Sequence, residues 1–414
     1  MACKADLLVT NAGQLLTLDR PAPRRGAAMS DLGLVRRGAV AIRGGRILAA
    51  GPEGAVRAQY EADEELDAGG RVVMPGFVDP HTHVIYAGNR IDEFELRLKG
   101  ATYEEIMASG GGIRSTVRAT RAASDGEVLS QTERRLRRML AHGTTTAEVK
   151  SGYGLDPEHE LRLLRLIRTL AVTQPVKLVP TFLGAHAVPP EYDGRAEAYV
   201  DLVEEMLAQV PGLAEYCDVF CDAGAFALAQ TDRILRRARE LGLGLRVHAD
   251  EFASLGATRL AVELGAASVD HLMVTPEGER ALLAASDVAA VLLPGTAFGL
   301  GKKAYANGRA WVEAGAIVAL ATDCNPGTAP NESMPFVIAL ACRTLGLTPA
   351  EAVVAATLNA AYSLNRAHEV GSLVAGKSAD LLILDAEDYR ELAYRFGTNP
   401  VAAVMVAGRV CAMG

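Results

Sequence analysis

Cysteine is scarce in this chain. Six are scattered through 414 residues, at Cys3, Cys217, Cys221, Cys324, Cys342 and Cys411, and no two form a CxxC pair. That excludes a disulfide scaffold and a cysteine-based zinc site. Cys217 and Cys221 are expected to sit reduced in a packed strand. No apolar stretch approaches the roughly 20 residues that cross a bilayer. The opening Met1-Ala-Cys-Lys-Ala-Asp lacks the basic-then-apolar order of a secretory signal. A soluble, cytoplasmic protein with no membrane partner is therefore expected. The formal net charge is −8, and no Lys/Arg run or aromatic-interleaved basic stretch stands out, so nucleic acid is not an expected partner either.

The chain is instead rich in material for a core. Half of its residues are hydrophobic and glycine is frequent, which suits a well-packed α/β protein and argues against disorder. The length exceeds that of one ordinary core, so a large domain with a smaller companion is expected. The first seventy residues read as short strands, including Asp6-Leu-Leu-Val-Thr, Gly38-Ala-Val-Ala-Ile-Arg and Arg46-Ile-Leu-Ala-Ala-Gly, with a loop over 20–35. The last forty return to that style, in Ala379-Asp-Leu-Leu-Ile-Leu-Asp and Val401-Ala-Ala-Val-Met-Val-Ala. Neither end is large enough for its own core. A small β-sandwich domain assembled from residues 1–74 and 369–414 is the economical reading.

Between them, over 75–368, apolar runs of strand length alternate with helical segments. The runs are 72–80, 144–149, 176–183, 217–221, 243–247, 267–269, 288–293 and 316–321; helical apolar spacing marks 127–141, 157–170 and 231–241. Largely apolar strands belong in a parallel sheet covered on both faces. Eight β–α alternations predict an α/β fold of the (β/α)8, TIM-like barrel type. A doubly wound open sheet is the alternative, and no GxGxxG follows the first run to support a dinucleotide-binding version. The first connector, 84–143, is far longer than a crossover needs and is expected to carry active-site loops.

The chemistry-bearing residues fall at the ends of these runs. Asp79-Pro-His-Thr-His83 closes the first. Alternate strand residues point the same way, so His81 and His83 form a two-imidazole grip. His248 ends the fifth run and Asp323 the eighth. Barrel active sites lie at the C-terminal ends of strands, where these four residues can meet as a nitrogen/oxygen set suited to zinc or iron with room for water. Singly, each has a bland reading, such as a surface histidine or a helix-capping aspartate; the joint pattern does not. His271 and His186 end the sixth and third runs. Glu251, three residues past His248, is placed to move a proton, or else to complement a helix dipole. Arg90 and Tyr153, in loops after the first two strands, suit a substrate carboxylate, though a surface ion pair would look alike. In Asn325-Pro-Gly-Thr328, Gly327 lets backbone approach a ligand, or makes an ordinary turn.

Together these segments resemble the amidohydrolase superfamily and, within it, the imidazolonepropionase family. Pro75-Gly-Phe-Val-Asp-Pro-His-Thr-His and Ala375-Gly-Lys-Ser-Ala-Asp carry the general likeness. Gly110-Gly-Gly-Ile-Arg-Ser-Thr, Lys150-Ser-Gly-Tyr-Gly-Leu, Thr181-Phe-Leu-Gly-Ala-His, Val247-His-Ala-Asp-Glu-Phe, Ser268-Val-Asp-His-Leu and Ala321-Thr-Asp-Cys-Asn-Pro-Gly carry the closer one. The resemblance implies hydrolysis of the cyclic amide of 4-imidazolone-5-propanoate to N-formimino-L-glutamate in histidine breakdown. It implies one zinc or iron ion per subunit on His81, His83, His248 and Asp323. Arg90, Tyr153, His186, Glu251, Asn325, Gly327 and Thr328 would bind substrate, and Glu251, His271 and Asp323 would serve catalysis. A small-molecule substrate and a homodimer follow as expectations. Asn89 stands where an acidic residue is expected before Arg90, and Cys324 where an aromatic is common. The fourth run lacks the lysine with which two-metal relatives bridge their ions, so one metal is favoured; Lys150 is the nearby substitute and looks misplaced. A deaminase of nucleobases shares the same ligands, and a non-catalytic barrel with a closed metal site is the second competitor.

Overall fold

The computed structural model describes residues 2–101, 105 and 110–413. Its N-terminal strands are β1 (Cys3–Leu16), β2 (Leu34–Arg43), β3 (Arg46–Pro52), β4 (Tyr60–Asp67) and β5 (Val72–Pro75). The barrel strands follow as β6 (Phe77–Asp79), β7 (Thr144–Lys150), β8 (Lys177–Ala185), β9 (Tyr216–Cys221), β10 (Gly244–Ala249), β11 (Ser268–His271), β12 (Ala289–Leu292) and β13 (Ile317–Leu320). The chain closes with β14 (Leu381–Leu384), β15 (Val401–Val406) and β16 (Arg409–Met413).

Two sheets result. The first joins both termini in the order β16-β15-β14-β5-β1-β2-β3, with β4 pairing on β1. Val9, Leu15, Val40 and Ile42 share one buried cluster with Leu381, Ile383 and Met405, so strands from both chain ends face a common sandwich-like core. The second sheet is the parallel run β6 to β13 in sequence order. The long helices Asp125–Ala141, Pro157–Thr173 and Leu228–Glu240 lie on the expected helical segments. Each buries an apolar stripe against the strands, and Ser124 caps the first through a reciprocal box with Glu127.

One expected strand divides in two. The run 72–80 reads as a single barrel strand, yet Val72–Pro75 pairs with β1 and β14 and only Phe77–Asp79 enters the barrel. Gly76 makes the crossing possible. A Cβ there would meet the Thr145 Oγ1 at 2.3 Å, while the Gly76 N–H is donated to the Asp380 carbonyl at 3.0 Å. Apolar content alone does not distinguish two strands of different sheets joined by one residue.

The barrel closes just past the C-terminal ends of its strands. Between β13 and β6 the contacts lie just beyond the strands. The Asp323 N–H donates to the His81 carbonyl at 3.2 Å and the His83 N–H to the Cys324 carbonyl at 3.0 Å, with a parallel bridge between Thr82 and Cys324. Asp79 ties the same seam by accepting from the Thr322 N–H at 3.1 Å and its Oγ1 at 2.5 Å. The segments that supply three candidate ligands are thus stitched to each other by backbone.

Candidate metal centre and cavity

His81 and His83 follow β6, His248 lies within β10, and Asp323 sits three residues past β13. All four are buried. The Nε2 atoms of His81 and His83 are 3.2 Å apart, and those of His248 and His83 3.3 Å. Asp323 Oδ1 lies 3.6 Å from the first and 3.5 Å from the second. His81 donates from Nδ1 to Asp270 at 2.6 Å, and His248 donates from Nδ1 to Asp218 at 3.0 Å. A carboxylate only accepts, so these bonds fix the protons on Nδ1 and leave both Nε2 lone pairs bare. Two lone pairs and a carboxylate oxygen therefore converge, with His83 Nε2 among them. One proton on His83 would relieve a single pair; a metal cation would relieve His81, His83 and Asp323 together, whose ligand atoms lie within 4.8 Å of one another.

The electrostatics agree. Burial, reinforced by neighbouring cations and histidines, drives His81 and His83 well below the ordinary imidazole range. Burial also takes His248 to about 4, against the pull of Asp218. All three are neutral at pH 7, as ligation requires. Burial lifts Asp323 to about 6 even though Thr296 Oγ1 donates to its Oδ2 at 2.5 Å. Its backbone is held at φ +53°, a strained setting for a non-glycine residue, which marks a position built for its side chain.

Beneath the candidate ligands lies a second layer that sequence reasoning missed. Asp218 and Asp270 orient the two histidines, and Glu148 accepts from the Thr82 N–H at 3.1 Å. Lys150 donates to Glu148 at 2.8 Å and Asp218 at 2.7 Å, and Arg246 donates to Asp270 at 3.3 Å and the Pro80 carbonyl at 2.7 Å. Burial opposes the Lys150 charge, but Asp218 and Glu148 outweigh it and hold the ammonium above its ordinary value. The signal was visible as isolated charges inside otherwise apolar strands, which are costly unless paired.

On the open side, Glu251 is buried and pushed to about 7 by desolvation. It lies in the loop after β10, ahead of the helix Ala257–Leu264, so the helix-dipole reading does not hold. Asp222 clamps that loop by accepting from the N–H groups of Glu251, Phe252 and Ala253 at 2.8, 3.0 and 2.8 Å. His271 Nδ1 is 3.8 Å from Glu251, and its φ of +82° is a second strained backbone setting.

These groups open into a cavity of about 890 Å³, lined also by Arg90, Tyr153, His186, Lys302, Asn325 and Thr328. Arg90 is anchored through Nε to Glu93 at 2.7 Å, which aims the rest of its guanidinium. Gly327 acts differently from the expected ligand contact. Its N–H and that of Thr328 are both donated to Asn325 Oδ1 at 2.8 Å, so neither is free for a ligand. Instead, a Cβ at Gly327 would fall 2.1 Å from Arg90 Nη1, so the missing side chain makes room for the guanidinium. Asn89, the departure noted before Arg90, accepts from the Ile91 N–H at 3.1 Å at the start of the helix Ile91–Leu98. Cys324 is fully enclosed and takes part in barrel closure.

Comparison with known proteins places these features in a family. The amidohydrolase family model matches residues 72–411. Imidazolonepropionase of Herpetosiphon aurantiacus is 54% identical over 416 residues, covering 98% of this chain and 97% of the relative. That of Chloroflexus aggregans is 52% identical, with 98% of each chain covered. Among solved structures, a zinc-bound adenosine deaminase from Xanthomonas campestris superposes with a TM-score of 0.74, covering 99% of this chain and 93% of that one at 19% identity. At that identity the likeness speaks for the fold alone.

Proposed function

Because the chain belongs to the amidohydrolase family, in its imidazolonepropionase branch, we propose that it hydrolyses the cyclic amide C–N bond of 4-imidazolone-5-propanoate to N-formimino-L-glutamate, a step in histidine degradation. One observation carries the reading: three separate strand ends bring His81 Nε2, His248 Nε2 and Asp323 Oδ1 to 3.2, 3.3 and 3.5 Å from His83 Nε2 at the floor of the cavity. Those donors fit zinc or iron(II). A bound ion of either kind supplies Lewis acidity and makes water nucleophilic near neutral pH. Homodimeric assembly and a cytoplasmic location are the matching expectations; among the described residues no helix is long and apolar enough to cross a membrane.

The chain's own groups do the rest. Arg90 takes the propionate in a charge-assisted pair and fixes the ring over the centre, with Tyr153 beside it. Asn325 and Thr328 shape the wall behind Arg90. His186 is placed to accept from the substrate rather than to donate. Its Nδ1 is 2.9 Å from the Gly152 carbonyl, which only accepts, so the proton sits there and Nε2 is an acceptor in the neutral ring. Burial lowers His186 to about 4, so it stays neutral. It therefore suits a ring N–H of the substrate. Glu251 takes the proton from the attacking water and returns it to the leaving nitrogen as the C–N bond breaks, with Asp323 as its partner and His271 alongside.

The direct test follows ultraviolet absorbance of the imidazolone and assays ammonia in parallel. Absorbance loss without ammonia is expected. Ammonia from a nucleobase, with the imidazolone left intact, would instead identify a deaminase.

Arg90→Ala is expected to cost about 2–4 kcal/mol of transition-state binding, or roughly 30- to 1000-fold in kcat/KM. Gly327→Ala should reproduce part of that loss by displacing the same guanidinium. An Arg90→Ala enzyme with near-normal kcat/KM would refute the carboxylate assignment.

A further inference from the structure

The cavity chemistry makes no use of Lys150, yet this is the most enclosed lysine near the site. It is the last residue of β7, shows no exposed surface and does not line the cavity. Its Nζ lies 2.8 Å from Glu148 Oε1, 2.7 Å from Asp218 Oδ2 and 4.0 Å from Asp270 Oδ2. Each of these carboxylates holds a different piece of the metal-binding apparatus. Asp218 receives His248 Nδ1, Asp270 receives His81 Nδ1, and Glu148 receives the backbone N–H of Thr82, which lies between His81 and His83. One ammonium thus lies against the carboxylates that hold the His248 and His81 rings and the backbone between His81 and His83.

We infer that Lys150 is the positioning residue of the metal centre, a fixed internal cation that holds Asp218, Asp270 and Glu148 in the arrangement that aims the His248 and His81 rings and fixes the backbone leading into His83. The charges argue for it. Three carboxylates and the two cations Lys150 and Arg246 share this enclosed layer, and of the three carboxylates Arg246 donates to Asp270. Without the ammonium, Asp218 and Glu148 lose the cation hydrogen-bonded to both and repel across a dry space, eased only by the charge of Arg246. Either can relieve that by rotating, and rotation of Asp218 releases the His248 ring. Orienting groups of this kind are worth about 10- to 100-fold in metal affinity when removed. The same geometry explains why Lys150 does not act as a bridging ligand between two metals: its nitrogen is already committed to carboxylates as a donor.

The inference rests on the metal-binding reading above, and the experiment separates the two. Wild type, Lys150→Met, Lys150→Arg and Asp218→Asn are stripped of metal and titrated with zinc against a chromophoric chelator. Cobalt(II) absorption spectra are recorded on the same proteins. Wild type that binds no metal would overturn the underlying reading. Given wild-type binding, Lys150→Met is expected to bind zinc 10- to 100-fold more weakly, to shift the cobalt spectrum and to lose kcat when metal-loaded, with KM changed less than about twofold. Lys150→Arg should recover most of the affinity. In the Asp218→Asn background, Lys150→Met should add at most about threefold, because the two act in series. Should the methionine variant fail to fold, Lys150→Gln is measured in its place with the same expectations. A neutral variant that melts at lower temperature but keeps wild-type zinc affinity and cobalt spectrum would show a merely structural lysine and overturn the inference.

Discussion

Stripping the protein of metal with a chelator is expected to lower turnover by about 10³-fold or more, and zinc or iron should restore it. The size follows from the several kcal/mol a Lewis-acid metal contributes to a hydrolytic transition state. Asp323→Asn should reproduce the loss even with metal supplied, since it removes both an anionic ligand and a proton acceptor. The stripped protein should also melt at lower temperature, by the mass-action loss of a ligand that binds only the folded state. The local cause is plain in the geometry: without a cation, the bare Nε2 atoms of His81 and His248 face His83 at 3.2 and 3.3 Å, and the Asp323 carboxylate lies 3.5 to 3.6 Å from His83 and His81. Metal analysis, a thermal melt and the absorbance assay on one preparation give the answer. Undiminished turnover by protein shown to be metal-free would sink the reading of the centre.

The parts of this site that were legible in the sequence share a property. His81, His83, His248 and Asp323 each end a run of apolar residues, and strand ends on one side of a parallel barrel must be near one another. Position in the pattern therefore implied proximity. The eight strands were legible for the same reason: buried on both faces, they stand out as apolar runs. The division at Gly76 was hidden because both pieces are apolar, and the choice of sheet is made by a contact with Thr145 some seventy residues away. β4, Tyr60–Asp67, lies within the stretch read as short strands, but its bounds are hard to see because it is mostly exposed and acidic, with little apolar pattern. The packing of Gly327 and the tautomer of His186 were out of reach for another reason. Both depend on which atom lies across a space of 2 to 3 Å, at Arg90 and at the Gly152 carbonyl respectively, and spacing along the chain carries no such information. Asp222, which clamps the Glu251 loop, was overlooked because its work is done on backbone N–H groups.

Glu251→Gln is the other substitution with a large expected effect, a fall in kcat of about 10²- to 10⁴-fold with KM little changed. Its carboxyl is lifted to about 7 by burial, and Lys302 only partly opposes that. A group with a pKa near the working pH can both accept and return a proton, which ring opening demands: one proton leaves the water and one must reach the departing nitrogen. The sign of the pH dependence follows from the first of these steps. The free enzyme must present the carboxylate, so kcat/KM should fall about tenfold per pH unit below about 7 and level off above it. Asp323, at about 6 without a cation, would titrate on the same side; a cation on its Oδ1 favours the charged form and moves that ionisation to lower pH. The limb near 7 therefore belongs to Glu251, and Glu251→Gln should abolish it along with most of the rate. A glutamine variant that keeps the limb would assign it elsewhere, and one that keeps the rate would remove Glu251 from the proton path altogether.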